Sequence, residues 1–452
     1  MTLEGLRNDQ EAGGSKRLIS RRTARLPTPL RVLCRSLLMV SVVLLDTSGI
    51  RAFGATPGDA ALDPFDEGTS SYSKAKDTSP IARLQERIDR AEVKLRHDAQ
   101  FGYLLSLLEE LGVSSHSQLL VFSKTSLQRE RITPKTPRAL YFNDEVYLGF
   151  IPGAPFIEVS GMDSKLGGVF YSIDQGKTGR PRFVRTDQCL ECHTSTKTLG
   201  VPGPLVRSFV TDADGVVDMA SGTSLVNHRT PLSERWGGWY VTGTHGAQTH
   251  RGNLSGREAF ARHEKEPNYL GNQIDLKRFF DVSRYPAAAS DIVALMTLEH
   301  QAHMQNFLTR LNQDSTAALR QFGHLNHMKS EIEGFLKYLL FTEEAPLSAP
   351  IHGSAAFVGQ FTAMGIKDTK GRSLRQFDLE RRLFKYPCSY LIYSDAFDAL
   401  PEQLKETLYR RLWDILTSKD TGPAFAGIPS ETKQAIREIL TETKKDVPPY
   451  WK

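Results

Sequence analysis

The chain has 452 residues, of which 40% are hydrophobic and 24% charged, an ordinary globular composition with enough length for more than one core. Its formal charge of +5 arises in residues 1–55, which carry nine Lys or Arg against four Asp or Glu. The remaining 397 residues balance at 48 against 48, so they lack the concentrated basic surface that nucleic-acid binding requires. We therefore expect no nucleic-acid partner.

Residues 1–55 have the pattern of a signal peptide. A basic stretch precedes the apolar run Ser36–Leu45, and small residues follow at 52–55. Ten apolar residues are too few to span a bilayer. The pattern predicts export to the periplasm or another extracytoplasmic space, cleavage near 52–55, and no transmembrane span in the mature chain. An uncleaved amphipathic anchor is the alternative, and the general and twin-arginine routes both stay open.

Residues 56–79 are small and polar without an apolar period, which predicts a disordered linker. The folded part is expected to begin near Pro80. From there to Gly112 apolar residues recur at helical spacing, with Ser79 in the capping position. This indicates one long helix or two short ones.

The period changes to that of β-strands between residues 139 and 185. Five β-rich runs are separated by Gly, Asp, Asn and Pro, and "GGWYVTG" at 237–243 adds another predicted strand. From Ser290 onward three segments have helical patterns. The fold class predicted is α+β, with an α+β domain at 80–285 built on a small antiparallel sheet and a helical region at 286–452 packed on it.

The segment "QCLECHT" at 188–194 concentrates the chemistry of the chain. Only four cysteines and twelve histidines occur in the sequence, so a CxxCH pattern would arise by chance roughly once in a thousand such chains. At this spacing two thiols on one turn add to the vinyl groups of a haem, and the next imidazole points at the iron. We expect Cys189 and Cys192 to bind one covalent haem c and His193 to be the proximal iron ligand. The predicted export agrees, because this attachment is extracytoplasmic in bacteria.

Three other interpretations of the two thiols stay open. A structural zinc site normally needs four ligands, and no second CxxC or HxxxH pair stands at the usual distance. A thioredoxin-like dithiol belongs after a strand in a βαβ unit, a pattern that does not surround these residues. A plain disulfide across the turn is the third.

The "CLECH" at 189–193 resembles the attachment site of c-type cytochromes. More broadly, "RALYFNDEVYLGF", "CLECHTSTKTLGVPGPLVRS", "ERWGGWYVTGTHG" and "KYPCSYLIYSDAFDALP" resemble uncharacterised cytochrome-c-domain proteins of environmental bacteria over most of residues 100–450. The resemblance implies bound haem and export and assigns no substrate. In small class I cytochromes the motif lies near the start of a helical domain, whereas here a sheet precedes it, so we do not expect their fold.

The sixth iron ligand is predicted on the helix that begins after Ser290. At 100° per residue its apolar positions form one stripe, with His300 near the centre and His303 about 60° to one side. His300 is the predicted distal ligand, with His303 and Met364 as rivals; Glu299 would orient His303. Histidines satisfied within the core are the alternative. The remaining methionines left open are Met162, Met219, Met296, Met304 and Met328.

Haem propionates attract cationic and N–H donors, which makes Arg207, Arg235 and Trp239 candidate pocket residues. The alternative for "RWGGWYVTGTHG" is a strand with packed aromatics between glycine turns. Cys388 lies in an apolar run and is predicted to be a buried thiol.

Together these features predict an exported mono-haem c-type cytochrome that exchanges one electron with periplasmic redox partner proteins. No catalytic residue is assigned. Two alternatives require an open iron: a peroxidase-like haem oxidoreductase, with His300 or His303 as acid and base, and a haem-based sensor of diatomic gases.

Overall fold

The computed structural model describes residues 72–176 and 180–452, which belong to one compact unit, Asp63–Lys452. The predicted signal peptide and the first part of the predicted linker lie outside the described residues. Residues 72–79, at the end of that linker, pack against strand β5 (Gly167–Asp174) of the sheet described below. Tyr72 is buried, and its hydroxyl donates to the Gly168 carbonyl at 2.6 Å.

In the described part of the chain, antiparallel pairing joins seven strands into one sheet and two into a separate ribbon. The sheet strands are β1 (Leu119–Val121), β2 (Arg138–Phe142), β3 (Val146–Phe150), β4 (Phe156–Asp163), β5 (Gly167–Asp174), β6 (Phe183–Arg185) and β9 (Trp239–Tyr240). The ribbon consists of β7 (Arg207–Phe209) and β8 (Thr223–Leu225). The order across the sheet is β6-β5-β4-β3-β2-β1-β9. Strand β6, which precedes the CxxCH motif, and strand β9, which follows it, therefore lie at opposite edges.

The helices lie mostly in the second half of the chain. They are α1 (Pro80–Asp89), α2 (Leu104–Glu110), α3 (Leu190–His193), α4 (Arg257–Lys265), α5 (Ile292–Phe322), α6 (Lys329–Leu339), α7 (Ala355–Ala363), α8 (Asp395–Asp398), α9 (Glu402–Leu416) and α10 (Ser430–Thr443). With the antiparallel sheet, they confirm the α+β class and the departure from a small class I cytochrome. No helix in the described ranges is long and apolar enough to cross a membrane.

Local sequence signals account for the first elements. The Ser79 hydroxyl caps α1, and the segment 80–112 forms two short helices instead of one. The β2–β3 hairpin turns at Asn143, whose side-chain oxygen accepts from the backbone N–H groups of Glu145 and Val146 at 3.0 and 2.9 Å. Asparagine favours such turns because its side chain replaces a missing backbone acceptor.

Each side of the sheet packs against a different layer, because successive side chains of a strand point to opposite sides of the sheet. One face, which includes Tyr141, Leu148 and Ile157, packs in a single cluster with apolar residues of α1 and α2. The other face meets the C-terminal helices near Phe142.

The central helix α5 has 31 residues and carries a different pattern from the predicted one. Every residue from Ile292 to Asn306 is buried, polar ones included, so this first half of the helix is surrounded on all sides and has no single apolar stripe. Its N-cap is Asp291, whose carboxylate accepts from the Ala294 N–H at 2.9 Å. This helix connects the sheet to the C-terminal helices.

Candidate functional site

The CxxCH segment forms a single helical turn directly after strand β6. The His193 N–H donates to the Cys189 carbonyl at 2.9 Å, which closes the turn. Leu190 is buried and packs with Tyr72 and Phe170, and Cys189 lies against the same cluster. Cys192 is exposed, and neither motif cysteine is in a disulfide. One thiol is therefore held at the protein surface and the other at an apolar contact.

Gly203 makes two hydrogen bonds to His193, one to its imidazole and one to its backbone. The imidazole Nδ1 lies 2.8 Å from the Gly203 carbonyl oxygen, and the Gly203 N–H donates to the His193 carbonyl at 2.9 Å. A carbonyl only accepts, so Nδ1 carries the proton. Burial lowers the pKa of His193, so the ring is neutral at neutral pH. Nε2 has no hydrogen-bond partner within the described chain, and its lone pair is available as a ligand.

The loop that carries Gly203 is held between strand β5 and helix α5. The Gly168 N–H donates to the Pro202 carbonyl at 2.8 Å, and a Cβ on Gly168 would be 3.1 Å from the Cα of Gly203. On the other side, a Cβ on Gly203 would be 1.9 Å from Oδ1 of Asn306. A side chain at Gly203 would therefore collide with the Asn306 side chain unless Asn306 moves. Sequence reasoning missed this residue; the run "VPGP" was its one local signal.

The face of the sheet near the motif carries an ion pair that sequence reasoning also missed. Arg138 on β2 and Glu158 on β4 pair at 2.7 Å, and the Ser126 hydroxyl donates to Glu158 at 2.6 Å. Both charges act on Cys189 and on His193. Strand alternation places the two side chains on one face, but their pairing depends on the register of three strands.

The environment of the thiols bears on the competing interpretations. Burial, together with the nearby Glu158, raises the pKa of Cys189 to about 11. A redox-active dithiol requires the opposite shift, toward the thiolate. No group of three or more His, Cys, Asp or Glu arranged to hold a metal ion occurs in the ranges that the structure describes. Cys388 is fully buried, as predicted.

Two of the three predicted pocket residues lie together. The Trp239 indole N–H donates to the Arg207 carbonyl at 2.8 Å. Burial lowers the pKa of the Arg207 guanidinium, and Cys192 lies near enough to act on it in the opposite direction. Arg207 stacks over Phe209 with its Nε donating to the Thr223 hydroxyl at 3.1 Å. Among the described residues no carboxylate pairs with Arg207, so its charge is available to an anionic group.

Arg235, the third predicted pocket residue, is occupied by a buried ion pair. Its guanidinium pairs with Glu299 inside the protein, where both side chains are nearly inaccessible to solvent. The Trp236 indole N–H donates to the second carboxylate oxygen at 3.0 Å, and Arg235 also donates to the His228 carbonyl at 3.2 Å. A haem propionate would have to displace these partners. Glu299 therefore serves Arg235 and not His303, which the sequence analysis expected it to orient.

His300 has both ring nitrogens engaged inside the helical layer. Its Nδ1 lies 2.9 Å from Nδ1 of His228, and its Nε2 lies 2.8 Å from the Ser389 hydroxyl. The rings of Tyr338 and Phe341 stack on it with centroids at 5.4 and 4.3 Å. This is the environment of a histidine satisfied in the core, and iron ligation would require breaking one of the two hydrogen bonds.

The other predicted iron ligands occupy different environments. His303 is buried against Phe307 and Tyr338, and its Nδ1 has no hydrogen-bond partner within the described chain. Met364 follows α7 and is 56% exposed. Of the remaining methionines, Met219 is exposed, whereas those buried are Met162, Met296, Met304 and Met328. In the part of the chain that the structure describes, no hydrogen bond or ring contact joins any of these groups to the CxxCH turn.

The motif's surroundings fit the proximal side of a covalent haem. Within the described residues, two free thiols stand on one turn, the imidazole beside them is neutral with no hydrogen bond at Nε2, and the Arg207 guanidinium near Cys192 pairs with no carboxylate. These residues would hold the macrocycle, the iron and a propionate respectively.

Comparison with known proteins gives no outside guide to this site: no protein-family model, curated protein sequence or solved structure matches the chain.

Proposed function

We propose that this chain is an exported mono-haem c-type cytochrome that transfers single electrons between periplasmic proteins. The observation that carries the proposal is the state of His193, whose Nδ1 donates to the Gly203 carbonyl while Nε2 has no hydrogen-bond partner among the described residues. A ligand imidazole needs this arrangement, because a hydrogen bond at one nitrogen fixes the tautomer and directs the other at the metal.

The haem would supply the one-electron exchange, and the chain would bind it and set its surroundings. Cys189 and Cys192 would form the two thioethers, each by adding its S–H across a vinyl group. His193 would be the proximal ligand. Arg207 would neutralise a propionate, and the Arg138–Glu158 pair would place one charge of each sign beside the ligand turn.

Haem attachment is tested by denaturing the mature protein, produced with a cytochrome c maturation system, and staining the gel for haem. Wild type and Cys388→Ala should retain the stain, because Cys388 is buried away from the motif. Cys189→Ser/Cys192→Ser should lose it. Loss of haem from denatured wild type, or survival of the stain in the double variant, rejects covalent attachment.

Export is part of the same proposal. N-terminal sequencing of the processed protein should begin between about residues 53 and 60. A mature protein that still starts at Met1 in the cytoplasm contradicts both export and covalent haem.

A second candidate function follows from the environment of His300. Since both of its ring nitrogens already have partners, the iron would be five-coordinate unless another donor reaches it. An open iron suits a peroxidase-like enzyme or a sensor of diatomic gases. Either would need a ligand-accessible distal side.

The optical spectrum separates the two candidates. A carrier gives six-coordinate, low-spin iron, and an open site gives high-spin iron. If His300 is the distal ligand, His300→Ala turns the iron high-spin and opens it to carbon monoxide, whereas His303→Ala changes little. A low-spin spectrum unchanged in His300→Ala rejects that ligand and favours Met364, whose thioether would produce a weak near-infrared charge-transfer band. Wild-type iron that is already high-spin rejects the six-coordinate carrier.

A further inference from the structure

Asn306 on helix α5 makes an unusual contact with the loop beside His193. Its side chain is 2% exposed, and its Nδ2 donates to the Pro204 carbonyl at 2.9 Å. Its Oδ1 is buried without a hydrogen-bond partner in the described chain and is directed at the Cα of Gly203. An unpartnered buried polar atom is costly, by about 1–3 kcal/mol, so its position requires an explanation.

The orientation of this amide is fixed by its neighbour. The oxygen and nitrogen of an asparagine are distinguished by their hydrogen bonds. The Pro204 carbonyl only accepts, so the NH₂ group must face it and the oxygen must face Gly203. A rotated amide would gain nothing at Gly203 and would place two oxygens in contact at Pro204.

Gly203 and Pro204 thus connect the amide to the imidazole. Asn306 holds the Pro204 carbonyl and covers the Gly203 Cα, while the Gly203 carbonyl accepts from Nδ1 of His193. The opposite side of the loop is bonded to Gly168 on β5. The Gly203 carbonyl is therefore aimed by contacts from both sides.

We propose that Asn306 is a positioning residue that acts through Gly203 and Pro204 to fix the tautomer and ring orientation of His193. The contact links the ligand turn to α5, and through α5 to the C-terminal helices. This would give the helical half a role at the redox site, which a simple carrier would not need. The effect of Asn306 on a redox potential rests on the proposed function, whereas its effect on the His193 tautomer requires no haem.

The test uses full-length mature protein with ¹⁵N-labelled histidine, produced without haem maturation. The side-chain ¹⁵N shifts of His193, assigned with His193→Gln, report which nitrogen carries the proton. Wild type should show the Nδ1–H tautomer. Asn306→Ala should lower the ratio of Nδ1–H to Nε2–H by about fivefold, the effect of weakening one hydrogen bond by about 1 kcal/mol.

Asn312→Ala is the matched control. Asn312 lies on the same helix, is also buried, and donates from Nδ2 to a loop carbonyl, that of Ser164, at 3.0 Å. It should leave the His193 shifts unchanged. If Asn306→Ala unfolds, Asn306→Asp keeps the volume and removes the donor, and the same shift is expected. An unchanged tautomer in a folded Asn306 variant, or an equal change in Asn312→Ala, overturns the proposal.

The haem-loaded protein separates the two proposals. Asn306→Ala should retain covalent haem but change the midpoint potential, and Asn312→Ala should not. If wild type carries no haem while the tautomer still depends on Asn306, the proposed function fails and the positioning role stands. If haem is bound and neither tautomer nor potential depends on Asn306, the positioning role fails alone.

Discussion

At the scale of single residues, the site depends on the protonation of the two motif thiols and on the space around Gly203. Cys189 and Cys192 are three positions apart, yet one is partly buried beside Phe170 and Glu158 and the other is exposed. A side chain at Gly203 would meet the side chain of Asn306, and Gly203 itself limits the space at Gly168. Both features can be measured without a cofactor.

The motif thiols should differ in reactivity before haem is attached. A thiolate is the reactive form, and a rise in the pKa of Cys189 from 9.0 to about 11 lowers its thiolate fraction at pH 8 about a hundredfold. In protein made without haem maturation, iodoacetamide should label exposed Cys192 first, Cys189 slowly and buried Cys388 last, as followed by peptide mass spectrometry. Equal rates at the motif thiols would contradict the environment described for Cys189.

Gly203→Ala should destabilise the protein by about 1–3 kcal/mol, because its Cβ would overlap Asn306 Oδ1. Urea unfolding gives the free energy of unfolding. The control is Gly334→Ala, at a position within α6 where a Cβ meets nothing within 4 Å. It should stabilise by about 0.5–1 kcal/mol, since alanine favours a helix over glycine. Similar effects in the two variants would mean that the loop adapts and that glycine is not required.

At the scale of elements, helix α5 joins the sheet and its loops to the C-terminal helices. Its polar residues bond outward to several layers: Gln301 donates to the Asn143 carbonyl at 2.7 Å, Asn306 to Pro204, and Asn312 to Ser164. It also carries an ionisable group, Glu299, that is fully buried. Burial raises the pKa of Glu299 to about 7, and Arg235 and Trp236 counteract the shift.

Glu299→Gln should lower the free energy of unfolding by about 3–5 kcal/mol, because the Arg235 guanidinium is left buried without a counter-charge. Glu266→Gln is the matched control: Glu266 pairs with Arg262 at 3.0 Å on the surface of α4, where the expected loss is at most about 0.5 kcal/mol. Both are measured by urea unfolding at pH 8. A loss below about 1 kcal/mol in Glu299→Gln would show that the core hydrates or neutralises the arginine.

At the scale of the whole molecule, buried imidazoles make stability depend on pH. Burial lowers the pKa of His300 to about 3 and of His303 to about 4, and it also lowers the pKa values of His228 and His250 well below 6.5. As the pH falls, these histidines bind protons in the unfolded chain at a higher pH than in the folded chain. Each histidine therefore contributes stability that is complete above pH 6.5 and is lost, at about 1.4 kcal/mol per pH unit, as the pH falls toward its folded value.

Buried carboxyls act in the opposite direction over part of this range. Burial raises the pKa of Asp291 to about 6 and of Glu344, like that of Glu299, to about 7. Their contribution is complete below the ordinary carboxyl pKa and is lost as the pH rises through these values. Between about pH 6.5 and 4.5 these carboxyls partly offset at least four histidines, and below about pH 4.5 only Asp291, whose ordinary pKa is 3.8, still does so.

The free energy of unfolding should therefore fall from pH 7 to pH 4.5 and more steeply below pH 4.5. Urea unfolding at pH 7, 5.5, 4.5 and 4 measures the profile. His303→Gln should flatten the loss above pH 4, because it removes one titrating group. Constant or rising stability down to pH 4.5 would show that the histidines are hydrated or protonated in the folded protein.

The sequence by itself determined the elements whose signals are local. Ser79 marks the start of α1, Asn143 marks the β2–β3 turn, and alternating runs mark the strands of an antiparallel sheet. The CxxCH spacing likewise lies within one turn of chain, so the motif is visible without a fold. Capping, turn and spacing preferences act over a few residues, and a sequence displays them directly.

Only the tertiary structure decided which polar residues meet. His300 was expected to face a haem crevice, but the first half of helix α5 is enclosed on all sides. His228 and Ser389, from segments 72 and 89 residues away, engage both ring nitrogens of His300. Gly203 acquires its role because Asn306, 103 positions later, approaches its Cα. Such contacts depend on the register of strands and the rotation of a helix, which local periodicity does not encode, because a surrounded helix and a half-buried one share the same 3.6-residue period.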